Sequence, residues 1–289
     1  MAQGSGGRKP AGKNAGRDKS APKTTGSPRP TGKQGSARRS VAQARSSKSN
    51  TRTQLIIGGI AIVLITAVIV LGIVLNRKET AVQGQGYGSS TRSVATAGKD
   101  GAVTVSAASP PAGSTPVVID VYEDALCPVC AEFERQFGQQ INQAVDQGTL
   151  KVNYHMLNFL NPDSFSKDYS TRAAAALLCV AQQGGSQSGL YLDYHAALFS
   201  PDHQPTEGGS SDLSNQQLAD LATAQGAPAA AAQCISSGQN VAAAAASAKS
   251  STATLSGITG GQVATPTVVK DGATVQLNVD WLSKMLAKS

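Results

Sequence analysis

The chain of 289 residues carries 25 Lys/Arg against 18 Asp/Glu, but its net charge of +7 averages two unlike pieces. Before residue 54 there are 13 basic residues and one acid, a balance of +12, whereas the rest sets 12 basic residues against 17 acidic ones, a balance of −5. A uniformly basic nucleic-acid-binding protein is excluded, because the tail has no aromatics to stack on bases and its Gly, Ser, Pro and Thr spacers bury too little to order it.

The predicted elements begin with residues 1–53, a disordered basic arm. Leu55–Leu75 is an uncharged run of 21 residues. As a helix at about 1.5 Å per residue it spans the roughly 30 Å hydrocarbon core, so 54–76 is expected to be a transmembrane anchor. A signal peptide has a shorter charged region and an apolar run of about 7–15 residues. The only nearby A-x-A pattern, Ala95–Ala97, lies too far downstream for ordinary cleavage. The basic excess before the span puts the N-terminus in the cytoplasm and the remainder outside it.

Residues 77–100 read as a flexible linker, and the folded part is expected over 101–289. Ala102–Val105 is placed as a short edge strand. Val117–Tyr122 is β-branched and nearly all apolar, a strand expected to be covered on both faces. Phe133, Phe137 and Ile141 recur every four residues as one helical stripe that ends at Gly148. Lys151–Leu157 alternates as a further strand, and strand–helix–strand implies a parallel pair.

The stretch at about 161–256 carries helical signals. Ser170 is read as the cap of Thr171–Gln182, and Tyr191–Phe199 as a short amphipathic helix. Ser214 and Gln217 form a capping box, with Leu213 and Leu218 as its hydrophobic staple. Ala229–Lys249 is Ala-rich and broken near Ser236–Gly238. Thr267–Lys270 and Thr274–Leu277 flank the hairpin signal Asp271-Gly272, and Trp281, Leu282, Met285 and Leu286 give a last helix, with Trp281 as core.

The chemistry-bearing motif is Cys127-Pro128-Val129-Cys130, at the start of the helix whose stripe begins with Phe133. Free N–H groups and a partial positive charge at a helix start favour thiolate over thiol. Pro128 suits the first turn, where its missing N–H costs nothing. A zinc site needs a second close pair of ligands, but Cys179 and Cys234 are 55 residues apart and neither has a His at ligand spacing. A purely structural bridge across so short a loop constrains the unfolded chain little. A redox-active dithiol is the reading that remains, and no cofactor or metal is called for.

Together the apolar strand, C-P-x-C at a helix start, the βαβ unit and a late x-Pro before a hairpin resemble the thioredoxin superfamily. The helical stretch before that Pro resembles its DsbA-like branch of extracytoplasmic protein-disulfide oxidoreductases. The resemblance covers 101–289 and implies a thioredoxin-like α/β fold with an inserted all-helical domain. It implies Cys127 as nucleophile, Cys130 as resolving thiol, and Thr265-Pro266 as a cis-proline loop against the dithiol. It matches Pro128, Val129, Asp124 and Glu134 to positions that tune the pair, with Phe133 beside them. Ala264 replaces the usual Gly before Thr-Pro, and Val129 the His of the strongest oxidants.

Without the resemblance, Glu123, Asp124 and Glu134 read as a solvated acidic rim, with a proton-transfer role as the alternative, and His155, His195 and His203 as too scattered for a site. Cys179 and Cys234 are expected to pair in an oxidising compartment, with buried free thiols as the alternative. The implied activity is oxidation of cysteine pairs in exported, unfolded or reduced proteins. A quinone-linked membrane partner of the DsbB or VKOR type would reoxidise the dithiol. An anchored reductase or isomerase, for example in cytochrome c maturation, and a non-catalytic substrate-holding module are the rival readings.

Overall fold

The computed structural model describes residues 86–288. The basic arm, the expected anchor and residues 77–85 of the expected linker lie outside them. Among the described residues, no helix is long and apolar enough to cross a membrane.

Six strands form one sheet: β1 (Ser93–Ala97), β2 (Val103–Ala107), β3 (Val117–Glu123), β4 (Leu150–Met156), β5 (Thr267–Lys270) and β6 (Ala273–Thr274), in the order β1-β2-β4-β3-β5-β6. The β3–β4 pair is parallel, with Ile119 opposite Val152, and the other pairs are antiparallel. The crossover is α1 (Pro128–Asp146), and Gly148 at φ +71° turns the chain back into β4. Between β4 and β5 come α2 (Tyr169–Gly184), α3 (Leu190–Leu198), α4 (Asn215–Ala224), α5 (Ala229–Ser236) and α6 (Val241–Ile258), and α7 (Trp281–Leu286) follows the sheet.

The two faces of β3 differ. Ile119, Val121 and Glu123 point into the main core with Phe133, Phe137 and Ile141 of α1, each of which contributes about 1.5–3 kcal/mol on full burial. Trp281 of α7 closes that core, its ring 6.2 Å from Phe133 and 5.9 Å from Phe137. On the other face Tyr122 packs with Leu255 of α6 and Val269, but Val118 is 44 % exposed. The strand is therefore covered on both faces only near its C-terminal end, because α6 is the helix that reaches that side.

Two expectations for the N-terminal part are corrected. The folded domain starts before residue 101, since Ser93–Ala97 pairs along its whole length with β2. That places β2 inside the sheet and makes β1 the edge. Asp146, at the end of α1, holds the preceding segment. Its carboxylate accepts from Tyr87 Oη at 2.9 Å, Ser90 Oγ at 2.6 Å, and the N–H groups of Thr91 at 2.8 Å and Arg92 at 3.2 Å. Gly189, at φ +80°, lies so close that a Cβ there would sit 1.9 Å from the Ser90 carbonyl oxygen. A Gly- and Ser-rich composition signals flexibility only until a partner surface supplies hydrogen bonds.

Smaller differences follow from local packing. Ser170 is buried inside α2 rather than capping it, with Asp168 at the cap position. The Ser214–Gln217 capping box is formed. The second hairpin strand is two residues, Ala273–Thr274; Val275 N still donates to the Val268 carbonyl at 2.8 Å before the chain runs on to α7. Cys179 of α2 and Cys234 of α5 are joined as a disulfide.

Candidate active site

The loop that carries the dithiol is built by Asp124. Its backbone oxygen accepts from Cys127 N at 2.9 Å, and its carboxylate accepts from Leu126 N at 3.0 Å and, across the loop after β4, from Leu160 N at 3.1 Å. These contacts fix the turn so that Cys127, φ −70° and ψ 118°, stands at the N-cap of α1 with Pro128 in the first turn. Gln204, from the loop after α3, donates to the Cys127 carbonyl at 2.9 Å and the Ala125 carbonyl at 3.3 Å. Sequence reasoning missed Gln204, since nothing local marks a loop glutamine as a clamp.

Both cysteines are free thiols and mostly buried, Cys127 at 6 % exposure and Cys130 at 0 %. Thr265–Pro266 is cis, and the Thr265 carbonyl oxygen accepts from the Cys127 thiol at 3.5 Å. The loop before β5 therefore faces the dithiol, while Val129 points outward at 58 % exposure.

The two sulfurs are electrostatically unlike. A hydrogen bond from the Cys130 thiol pulls Cys127 down to about 6 against the opposing effect of burial, and the Thr265 side chain and the N–H groups of Cys130 and Val129 add to it. Burial pushes Cys130 well above its ordinary value, and the nearby Glu123 and Cys127 charges push the same way. Of the pair, the exposed-side sulfur is the thiolate and the inner one the thiol.

The acids are not a solvated rim. Glu123, Asp124 and Glu134 are all buried. Burial raises Asp124, with its hydrogen bonds from Ser170, Leu126 and Leu160 pulling the other way. Glu123 and Glu134 meet His195 of α3, whose Nε2 lies 3.0 Å from Glu123 Oε2 and whose Nδ1 lies 3.6 Å from Glu134 Oε2. Burial, then the Glu134 charge, raises Glu123 to about 8 despite the His195 hydrogen bond. Burial disfavours the imidazolium, but the Glu134 charge and the hydrogen bonds to both glutamates carry His195 up to about 10. Both members of the closest contact, Glu123 and His195, are thus shifted toward their protonated forms.

The His195 correction has a signal in the sequence. Strand alternation puts Glu123 on the face of Ile119 and Val121, and α-helical spacing puts Glu134 one turn beyond Cys130. Tyr191 and His195 repeat at i, i+4 on the apolar side of α3. Two inward acids must be protonated or find a buried partner, and His195 is the histidine on an apolar helix face. His155 instead lies on the other side of the sheet, bound to Asp120 at 3.0 Å and stacked on Tyr122.

Among the described residues, Glu123, Glu134 and His195 are the group with three potential metal donors within 4.8 Å. The short contacts within this group run from His195 to each glutamate, at 3.0 and 3.6 Å.

A parallel β3–α1–β4 unit, a C-P-x-C dithiol at the start of α1 and a cis-proline loop facing it define a thioredoxin-fold dithiol protein. Residues 112–288 match the thioredoxin family, and the chain belongs to it. Its helical insertion places it in the DsbA-like branch. The solved disulfide oxidoreductase DsbG from Mycobacterium tuberculosis is 32 % identical, with a TM-score of 0.55 over 66 % of this chain and 88 % of that one. DsbA from the same organism is 32 % identical, TM-score 0.54, over 65 % and 91 %. The thiol-disulfide oxidoreductase MdbA from Corynebacterium diphtheriae is 28 % identical, TM-score 0.59, over 71 % and 100 %. The serine/threonine-protein kinase PknE of Mycobacterium tuberculosis is 40 % identical over 173 residues, 59 % of this chain but 30 % of the kinase. The chain thus spans about a third of that relative, and the kinase name belongs to that protein.

Proposed function

We propose that this protein is an extracytoplasmic, membrane-anchored thiol–disulfide oxidoreductase that oxidises cysteine pairs in exported proteins. The observation that carries the reading is the asymmetry of the pair: Cys127 at about 6 beside the cis Thr265–Pro266 loop, and Cys130 fully buried with its value raised. A substrate thiolate attacks Cys127 Sγ of the Cys127–Cys130 disulfide, and Cys130 leaves with the electron pair of the broken bond. The second substrate thiol then loses its proton and attacks the mixed disulfide, releasing Cys127 as a stable thiolate. Two electrons pass from substrate to protein. The outward face of Val129 and the exposed Phe159 offer apolar surface to an unfolded chain.

Reoxidation falls to a quinone-linked membrane protein of the DsbB or VKOR type, consistent with anchoring at 54–76. The test uses the full-length chain in detergent. It should oxidise a reduced, unfolded substrate, and Cys127→Ser should abolish this. Equilibration with glutathione should give a potential between about −270 mV for thioredoxin and −120 mV for DsbA. A value at or below that of thioredoxin would replace oxidase by reductase, and activity that survives Cys127→Ser would leave a holding module. For topology, residues 79–289 should be protease-accessible on intact cells stripped of outer layers while the basic arm is protected. A dominant soluble form starting near Gly98 would overturn the anchor.

A further inference from the structure

The C-terminal half of α1 carries Gln140, Gln143 and Gln147, spaced i, i+3 and i+7 and so on one helix face. They line a cleft of about 700 Å³ between α1, α7 and the segment that leads into β3, toward the end of α1 opposite the dithiol. Val117, Leu282 and Leu286 give the cleft an apolar wall. Gln140 is 7 % exposed, and its Nε2 is buried with no hydrogen-bond partner among the described residues. An unpaired buried donor works against folding, and a leucine would fill the same space without one. What the amide offers instead is a donor to a bound acceptor, and the soft terminal torsion of a glutamine lets Nε2 turn into the cleft. From Gln140 to Gln147 the helix rises about 10.5 Å, and an extended chain covers about 10 Å in three residues. Each glutamine amide offers both a donor and an acceptor, which matches the C=O and N–H of a peptide unit. Among the described residues that line the cleft, Lys284 is the only charged one, held by Asp280 at 2.7 Å. The lining therefore suits an uncharged or acidic segment and disfavours a basic one.

We propose that this cleft is a second binding site for the substrate chain, taking an extended, uncharged or acidic peptide segment whose main chain pairs with Gln140, Gln143 and Gln147. This rests on the oxidoreductase reading and adds a hold on the substrate away from its cysteines. Along α1, Gln140 lies about 15 Å and Gln147 about 25 Å beyond Cys130. An unfolded chain at about 3.3–3.6 Å per residue crosses that distance in roughly five to eight residues. One polypeptide therefore reaches both places. Its binding at the cleft raises the effective concentration of its cysteines at Cys127 and keeps it in place between the two exchange steps. An apolar side chain of the segment rests on Val117, Leu282 and Leu286, while alternate side chains point to solvent.

The experiment uses the oxidised full-length chain in detergent and two peptides. In the long one a reduced cysteine pair is joined by about eight Gly and Ser residues to Leu-Ser-Leu-Ser-Leu, a spacer of the required reach. The short one lacks that last segment. Wild-type protein should oxidise the long peptide with a KM about tenfold lower than the short one, a comparison that needs no variant to fold. Gln140→Leu removes the donor at similar size and should erase the difference. It should unfold at the same temperature as wild type or higher, because no buried donor is left unpaired. A fluorescent, cysteine-free Leu-Ser-Leu-Ser-Leu should bind wild-type protein and bind Gln140→Leu about tenfold more weakly. Equal KM values for the two peptides in wild-type protein would overturn the proposal. So would a labelled segment that binds both proteins alike, which places the contact elsewhere, or a Gln140→Leu protein of lower unfolding temperature, which makes the amide structural. Displacement of the labelled segment as the wild-type protein self-associates would assign the cleft to a second copy and overturn it too. If Cys127→Ser oxidises either peptide as wild type does, the oxidoreductase reading itself fails, whereas segment binding is read separately.

Discussion

His195 Nε2 lies 3.0 Å from Glu123 Oε2, joining the helical insertion to the strand that ends four residues before Cys127. Both side chains are essentially inaccessible, at 1 % and 0 % exposure. A buried pair stripped of one partner leaves an uncompensated polar group, which costs roughly 3–5 kcal/mol.

The pH dependence of stability follows from this contact. His195 and Glu123 both bind their protons more tightly folded than unfolded, at about 10 and about 8. Their contribution from His195 is complete below its unfolded value of about 6.5, declines above it, and is gone beyond pH 10; that of Glu123 is complete below about 4.5 and gone beyond pH 8. Urea unfolding of His195→Gln should therefore show a loss of roughly 3–5 kcal/mol at pH 6, shrinking steadily toward pH 10. A deficit independent of pH would contradict a protonated His195 in the folded protein.

The reduction potential of the dithiol should respond to the side chain at Val129. The Cys127 thiolate should titrate near 6 by its ultraviolet absorbance. Val129 supplies neither charge nor hydrogen bond, and at 58 % exposure its replacement disturbs no core. Val129→His should lower the Cys127 value and raise the potential, by about 30 mV for each unit that persists at pH 7. An unchanged potential would mean that the helix start and the Cys130 hydrogen bond alone set the thiolate.

The Cys179–Cys234 bridge closes a 55-residue separation within the helical insertion. A loop of that length predicts about 4 kcal/mol from chain entropy. Replacing both by Ser should lower the unfolding temperature while the Cys127 exchange rate stays within about twofold, because the bridge links α2 to α5 and not to the dithiol loop. Two free thiols in the oxidised, unfolded protein would refute the pairing.

Asp146 should control docking of residues 87–92. Burial opposes its charge, but the hydrogen bonds from Ser90, Thr91, Tyr87 and Arg92 hold its carboxylate below the usual range. Its contribution is therefore present above the unfolded value of about 3.9 and lost as pH falls through the lower folded one. Asp146→Ala should accelerate proteolysis at residues 86–92 and cost about 2–4 kcal/mol, while acidification should expose the same sites in wild-type protein. Equal cleavage rates in both proteins would show that β1 alone holds the segment.

The sequence by itself determined the parts of this protein that depend on local chemistry. Cys127-Pro-Val-Cys130 at a helix start, the Phe133–Ile141 stripe, the β3–α1–β4 crossover and the Ser214–Gln217 box each follow from spacing within a few residues. Tertiary structure decided what depended on distant partners. Residues 87–97 look like linker until Asp146 and β2 offer them hydrogen bonds. Glu123, Glu134 and His195 look like solvated or scattered groups until β3, α1 and α3 converge. Alternation and helical spacing state which way each acid points, but not what it meets. For a buried charge the partner decides everything, because desolvation makes an unpaired carboxylate far costlier than any local preference can offset.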